Sequence, residues 1–260
     1  MNQTVLNGCA LSYEFRRNEA SQEAAILFLH GWGCDHTFFD RFYSEFSNTR
    51  TVLAVDFPGH GESPEPSSTW GVSDYACQII SLLNELHLQK VTIVAHSFGG
   101  RVALKLAAEE TERVEKMVIT GGAGIRAQAA GETSAKQKQY RKLKKIAVAV
   151  GKLPGLRKFS ECMMGQLRKK YGSADYNRLS ENMRGTFVKV VNEDLTPLLP
   201  EIRSSTLLVW GSSDTETPLW MGQKMKEMIS DSGLVVFEGR SHFAYLEEPE
   251  RFLAILKSFL

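Results

Sequence analysis

Apolar residues along the 260-residue chain fall into two kinds of run. Near the N-terminus the pattern alternates: residues 4–6 and 9–15 flank Asn7-Gly8, the dipeptide that most readily supplies the positive φ angles of a type I′ turn, and so predict a β-hairpin. Further on the runs become continuous, at 25–29, 52–55, 91–95, 114–120, 206–210 and 234–237. A strand covered on both faces has no solvent side for polar residues, so these runs predict parallel strands inside a layered sheet. Between them lie helical spacings at 73–88, 99–109, 218–229 and 249–260; in the first, Tyr75, Ile79, Leu82, Leu83 and Leu86 share one face. The alternation predicts an α/β chain, with a mostly parallel, doubly wound sheet opened by an antiparallel hairpin.

After residue 120 the alternation stops. About 70 residues with helical spacing and no strand run follow, broken by Gly151, Pro154-Gly155 and Gly172, a length too great for a structureless loop. They predict a helical insertion over 125–196, between core segments 1–124 and 197–260. Within it, 136–150 predicts a helix with Tyr140, Leu143, Ile146, Ala147 and Val150 on one face, the face expected to close over one end of the sheet. Charge follows the same division. Residues 126–196 hold 16 Lys/Arg against 6 Asp/Glu, and the rest of the chain 15 against 24, behind a net charge of only +1. Such a basic segment suits a solvated surface, a site for an anionic substrate or acidic carrier, or a membrane-surface contact. Nucleic acid is not expected, because no recognisable binding motif accompanies the charge.

Composition removes other classes. A chain 43% hydrophobic and 23% charged is neither disordered nor collagen-like. No apolar run approaches the roughly 20 residues of a transmembrane helix, and Met1-Asn2-Gln3-Thr4 lacks a signal-peptide pattern, so a cytoplasmic location is expected. Cys9, Cys34, Cys77 and Cys162 show no C-x-x-C spacing and are expected as buried free thiols, without a disulfide framework or a metal.

The run 91–95 leads directly into His96-Ser97-Phe98-Gly99-Gly100, where helical spacing begins. A serine on such a tight strand-to-helix turn stands above the sheet edge, where the next residue's N–H and the helix N-terminus can stabilise an oxyanion. Taken alone, Ser97 reads better as a helix N-cap. Three other stretches supply what a nucleophile needs. His30-Gly31-Trp32-Gly33 follows the run ending at Leu29, and its Trp32 N–H can join that of Phe98 in an oxyanion hole. Asp214 follows the run ending at Trp210, although alone it reads as a turn cap before Pro218; Glu216 and Glu238 are rival carboxylates. His242 follows the run ending at Phe237. The order serine, aspartate, histidine, each just past a strand, is that of one triad architecture and not of the chymotrypsin or subtilisin types.

With Leu29-His30-Gly31-Trp32-Gly33, Asp56-Phe57-Pro58-Gly59-His60-Gly61-Glu62-Ser63, Ala95-His96-Ser97-Phe98-Gly99-Gly100 and Ser241-His242-Phe243 in register, the chain resembles the α/β-hydrolase superfamily, in its serine-nucleophile branch with a helical cap. The resemblance covers nearly the whole chain apart from the cap, with Ala95 replacing the usual first glycine. It implies the α/β-hydrolase fold, Ser97 as nucleophile, His242 as general base and then acid, and Asp214 as the residue orienting the imidazole. It makes Asp56 and His60 part of a structural turn near the pocket, while His30 is expected to bond the loop backbone. Relatives that open epoxides or remove halogen use an aspartate nucleophile, and Ser97 puts those activities aside.

The chain is similar to small carboxylesterases such as the biotin-pathway esterase, whose basic cap meets an acidic carrier protein. It is more weakly similar to the menaquinone-pathway enzyme that eliminates pyruvate, in which an arginine at the place of Arg101 helps hold carboxylate. For Arg101 the alternative is a structural ion pair under the elbow. His96 is expected either to line the pocket or to fix the elbow, so His96 and Arg101 are the candidate substrate-binding residues. The expected function is hydrolysis of a small or medium acyl ester or thioester, anionic or carrier-borne in one reading, without metal or cofactor. The alternatives are a lyase on the same scaffold and a non-catalytic ligand-binding protein.

Overall fold

The structure is a computed structural model describing residues 1–126, 135–151, 156, 160, 163, 165, 166, 176 and 179–260. Eight strands form one sheet: β1 (Asn2–Leu6), β2 (Cys9–Arg16), β3 (Ala25–Leu29), β4 (Val52–Asp56), β5 (Val91–His96), β6 (Val114–Thr120), β7 (Ser205–Gly211) and β8 (Ser232–Phe237). Their order is β1-β2-β4-β3-β5-β6-β7-β8, with β2 antiparallel to both neighbours and all other pairs parallel. The fold is therefore the α/β-hydrolase fold that the motifs imply. Asn7 and Gly8 take φ of 50° and 75°, as the hairpin turn requires.

The continuous apolar runs follow from the layering. In β3, Leu27 and Leu29 belong to the core on one face, beneath α2 (Val72–Glu85), α3 (Phe98–Glu109) and α6 (Leu219–Met228); Ile26 and Phe28 belong to the other, beneath α1 (Asp40–Phe46) and α8 (Pro249–Phe259). Successive side chains point to opposite faces, and here both faces are dry. Two short helices, α1 and α7 (Ala244–Glu247), fall outside the expected elements. Seven and four residues respectively hold too few turns to show a period, although α1 buries Phe42, Tyr43 and Phe46.

After β3 the chain steps to β4 on one side, then returns across β3 to place β5 on its other side. At such a reversal the loops leaving two adjacent parallel strands diverge, opening a crevice at their carboxyl ends. The loop after β3 and the turn after β5 border this crevice.

Between β6 and β7 the structure describes two long helices, α4 (Ala135–Gly151) and α5 (Glu181–Asn192). In α4, Ala147 is buried whereas Ile146 is exposed; the Tyr140 side chain lies outside the described residues. α5 docks on the core: the Trp70 N–H donates to Thr186 Oγ1 at 3.0 Å, and the Val72 N–H donates to Glu193 Oε2 at 3.2 Å. Cys9 and Cys34 are buried as expected, but Cys77, on the outer side of α2, is exposed; Cys162 lies outside the described residues.

Candidate active site

Ser97 sits between β5 and α3 with φ of 49° and ψ of −108°, a conformation that costs a residue with a Cβ about 1–3 kcal/mol. Backbone bonds on every side hold it there. The Ser97 N–H donates to Thr120 O at 3.2 Å, and Ser97 O accepts from the N–H groups of Gly100 and Ala123, both at 3.0 Å. Gly99 donates to His30 O at 3.0 Å, and a Cβ at Gly99 would lie 2.2 Å from Leu29 O, so only glycine lets the helix start this close to β3. Ser97 occupies the N-cap position, yet its side chain makes no capping hydrogen bond. The N-cap alternative therefore fails, and the hydroxyl faces the crevice.

That crevice is a cavity of about 510 Å³, within the range of small-molecule sites. Ser97, His96 and His242 border it together with Trp32, Phe98 and Arg101. The rings of Trp32 and Phe98 pack edge to face at 5.3 Å, and Trp32 reaches across to Phe187 of α5 at 5.1 Å. Among the described residues neither the Trp32 nor the Phe98 backbone N–H donates a hydrogen bond, which leaves both for a ligand.

Asp214 and His242 meet. His242 Nδ1 lies 2.8 Å from Asp214 Oδ2, while Asp214 Oδ1 accepts from the N–H groups of Glu216 and Thr217, both at 2.9 Å. Asp214 is thus a turn cap and a histidine partner at once. Burial would raise its carboxyl, but the bonds from His242 and Thr217, with the imidazole's charge, together hold it below the ordinary carboxylate range. Glu238 is exposed and forms no ion pair or side-chain hydrogen bond among the described residues. Glu216 does approach the imidazole, from the opposite end, its Oε2 lying 3.6 Å from Nε2.

The motif after β4 is structural. Asp56 Oδ1 accepts from the His36 N–H and pairs with His36 Nδ1, both at 2.8 Å, and Oδ2 accepts from the Glu62 N–H at 2.9 Å. Neighbouring His30 bonds the backbone on both sides, Nδ1 with Gly31 O at 2.7 Å and Nε2 with the Phe57 N–H at 3.0 Å. Burial lowers His30 to about 4 and His60 to about 3, so both rings are neutral near pH 7.

These features match a family model described as the alpha/beta hydrolase family, over residues 26–255. The chain belongs to that family. A pimeloyl-[acyl-carrier protein] methyl ester esterase of Neisseria meningitidis serogroup B is 27% identical over 252 residues, covering 90% of this chain and 92% of that one. An uncharacterized protein of Mycobacterium tuberculosis is 27% identical over 265 residues, covering 93% of this chain and 76% of the relative. Among solved structures, the enol-lactonase from Burkholderia xenovorans LB400 superposes with a TM-score of 0.74 at 19% identity, covering 99% of each chain.

The two candidate substrate-binding residues of this hydrolase are placed differently. His96, 1% exposed, donates from Nδ1 to Thr120 O, 3.0 Å away, and its ring lies 4.7 Å from that of His242. Burial, then the charge of His242, lowers it to about 3, so it stays neutral under the imidazole. Arg101 forms no side-chain ion pair among the described residues; it donates to Glu193 O at 2.8 Å and Val191 O at 3.4 Å, at the C-terminal end of α5. The expected ion pair under the elbow is thereby replaced by a cap on the helix's carbonyls, where a cation also meets the negative end of the helix dipole. Burial lowers Arg101 to about 10, with Glu193 opposing, so it remains charged.

Sequence reasoning missed Thr217 and the α5 wall. Thr217 Oγ1 lies 2.9 Å from Gly121 O, 2.8 Å from Asp214 Oδ2 and 3.2 Å from His242 Nδ1, tying three loops together. Phe187, Val190 and Val191 line the cavity from α5, whereas the expected closing face was on α4. No group of three or more His, Cys, Asp or Glu that could hold a metal occurs among the described residues, and no helix there is long and apolar enough to cross a membrane.

Proposed function

We propose that this hydrolase is a serine esterase or thioesterase that transfers a small or medium acyl group to Ser97 and then to water. The observation that carries the reading is the uncapped Ser97 hydroxyl, held in a strained turn and sharing one cavity with a histidine whose far nitrogen is bonded to buried Asp214. Asp214 holds Nδ1 protonated, which leaves the Nε2 lone pair for the serine proton. His242 takes that proton as Ser97 attacks the carbonyl. The unpaired Trp32 and Phe98 amides receive the negative charge that develops on the carbonyl oxygen, and they need no reorganisation to do so. His242 then gives its proton to the leaving alcohol or thiol, and deprotonates the water that cleaves the acyl-enzyme.

In this reading residues 125–196 form a cap over the cavity, with α5 as its inner wall, and His96 and Arg101 border the substrate. The basic charge of 126–196 supports an anionic acyl substrate or one carried on an acidic protein. The printed name of the Neisseria relative, an esterase of an acyl-carrier-protein ester, supports the second form. The test is a fluorophosphonate probe followed by mass spectrometry. The adduct is expected on Ser97, and Ser97→Ala should lose turnover of p-nitrophenyl esters by about 10⁴-fold or more while keeping its circular dichroism. A panel graded in chain length and charge, run at low and high salt, then finds the substrate class; an anion preference steered by the basic segment shrinks as salt rises. Undiminished turnover by Ser97→Ala refutes the nucleophile.

A further inference from the structure

A further side chain is buried against the Asp214–His242 pair, and the acyl-transfer scheme above gives it no role. It is Thr217, and each of its polar groups is bonded. Its N–H donates to Asp214 Oδ1 at 2.9 Å, and its carbonyl accepts from Nε1 of the fully buried Trp210 at 2.7 Å. Pro218 follows it in the chain. A residue before proline is restricted to extended backbone, and a β-branched side chain has few χ1 positions. The hydroxyl is therefore delivered to one place.

That place has three polar neighbours: Gly121 O at 2.9 Å, Asp214 Oδ2 at 2.8 Å and His242 Nδ1 at 3.2 Å. A hydroxyl has a single hydrogen to donate. Given to Gly121 O, it would leave Oγ1 lone pairs facing a carboxylate oxygen at 2.8 Å. Given to Oδ2, it makes a charge-assisted bond about twice as strong as a neutral one. The carboxylate takes it. Asp214 then accepts at Oδ1 from the N–H groups of Glu216 and Thr217, and at Oδ2 from the Thr217 hydroxyl and His242 Nδ1. Oγ1 keeps a lone pair toward the proton on Nδ1, which thus has a second acceptor beside Asp214.

Gly121 closes the group from another side. Its φ is 52°, and a Cβ there would lie 3.1 Å from His242 Nδ1 and 3.3 Å from Asp214 Oδ2, so its backbone lies directly against the pair. Asp214, Thr217 and His242 are all buried. Within this group the backbone amides anchor Oδ1 alone. The oxygen that meets the imidazole is Oδ2, and apart from the imidazole itself the Thr217 hydroxyl is what holds it among the described residues. We propose that Thr217 is a positioning residue: its hydroxyl fixes Asp214 Oδ2 and, through it, the plane of the His242 ring that has to aim Nε2 at Ser97. The inference deepens the triad reading above and rests on it.

The test measures kcat and KM for p-nitrophenyl butyrate on the whole protein and on Thr217→Val, Thr217→Ser, Asp214→Asn and the combination of Thr217→Val with Asp214→Asn. Valine keeps the branched shape and loses the hydroxyl, so kcat is expected to fall about 10- to 100-fold, the equivalent of one hydrogen bond to a charged group, with KM within about twofold. Thr217→Ser keeps the hydroxyl and should hold kcat within about threefold of the unmodified protein. In the Asp214→Asn background Thr217→Val should cost less than about threefold, because a residue that acts through the carboxylate's charge has nothing left to act on. A packing role would cost the same in both backgrounds. Equal losses in the two backgrounds therefore overturn the proposal, as does full kcat in a Thr217→Val protein that is folded by circular dichroism. If Thr217→Val does not fold, Thr217→Ala replaces it in the same cycle, since it removes the hydroxyl without setting a methyl against a charged oxygen, and the same outcomes decide. Undiminished turnover by Ser97→Ala removes the triad reading and this inference with it; an inactive Ser97→Ala beside a fully active Thr217→Val removes the inference alone.

Discussion

On the sheet side of the cavity the polar atoms are held by backbone: Ser97 by Thr120, Gly100 and Ala123, Asp214 by the amides of Glu216 and Thr217, and Gly99 by His30. On the α5 side the surface is three side chains, Phe187, Val190 and Val191, on a helix tied to the core by a few long-range hydrogen bonds. The first wall cannot relax without breaking strand-end geometry, whereas the second can change residue by residue. Reacting groups tolerate only small displacements before rate is lost. An apolar lining wall discriminates weakly per methylene. On the triad reading proposed above, the contrast predicts that chemistry and substrate choice are separable in this hydrolase, and substitutions on each wall can break that prediction.

The largest effect is expected at Asp214. Asp214→Asn leaves the turn bonds through Oδ1 available but removes the charge that fixes the imidazole's tautomer, and kcat should fall about 10³–10⁴-fold. Glu238→Gln, at an exposed site, should match the unmodified protein in the same assay; a silent Asp214→Asn with a dead Glu238→Gln would show the acid to be misplaced. On the opposite wall, Phe187→Ala should move the preferred acyl length, changing relative kcat/KM across an ester series by about 10–100-fold. Loss of kcat for every ester equally would deny that the walls are separable. The smallest effect is expected at the joint between them. Arg101→Met keeps much of the buried stem but leaves two carbonyls of α5 without their donor, so unfolding free energy should drop by about 1–2 kcal/mol in a denaturant titration, with KM rising more than kcat falls. If Arg101→Met instead abolishes the binding of anionic esters and leaves neutral ones untouched, Arg101 binds substrate carboxylate rather than the helix end.

Much of the sheet side was legible before any coordinates. The run at 25–29 coincides with β3, because a strand dry on both faces must be apolar at every position, and that at 114–120 with β6, whose Met117, Val118 and Ile119 are buried although Glu115 near its start is exposed. Asp214 and His242 were legible as polar residues just past strands, and the structure brings those two within a hydrogen bond. The α5 side was not legible in the same way. Helical spacing located a helix at 136–150 and the structure has one there, but the spacing alone cannot say which face of which helix meets the cavity, and α5 is the wall. Arg101 was visible as a charge near Ser97, but its carbonyl partners lie about ninety residues away in sequence and carry no side-chain signature. Cys77 was expected inside and lies outside, since a single cysteine carries no periodic signal of its own.

What the sequence by itself determined is local: where strands and helices begin, the Asn7-Gly8 hairpin, the small residues of the elbow, and the order of serine, aspartate and histidine along the chain. These are set by φ/ψ limits and by the period of side-chain burial, both of which act over a few residues. Only the tertiary structure decided which strands are neighbours, since parallel partners such as β3 and β5 are separated by residues 30–90, a stretch that also contains β4 and the helices α1 and α2. It also decided that Thr217 knits Gly121, Asp214 and His242 together, and that Glu216 faces the other end of the imidazole. Contacts between distant segments depend on how rigid layers stack, and the spacing of residues within one segment holds no record of that stacking.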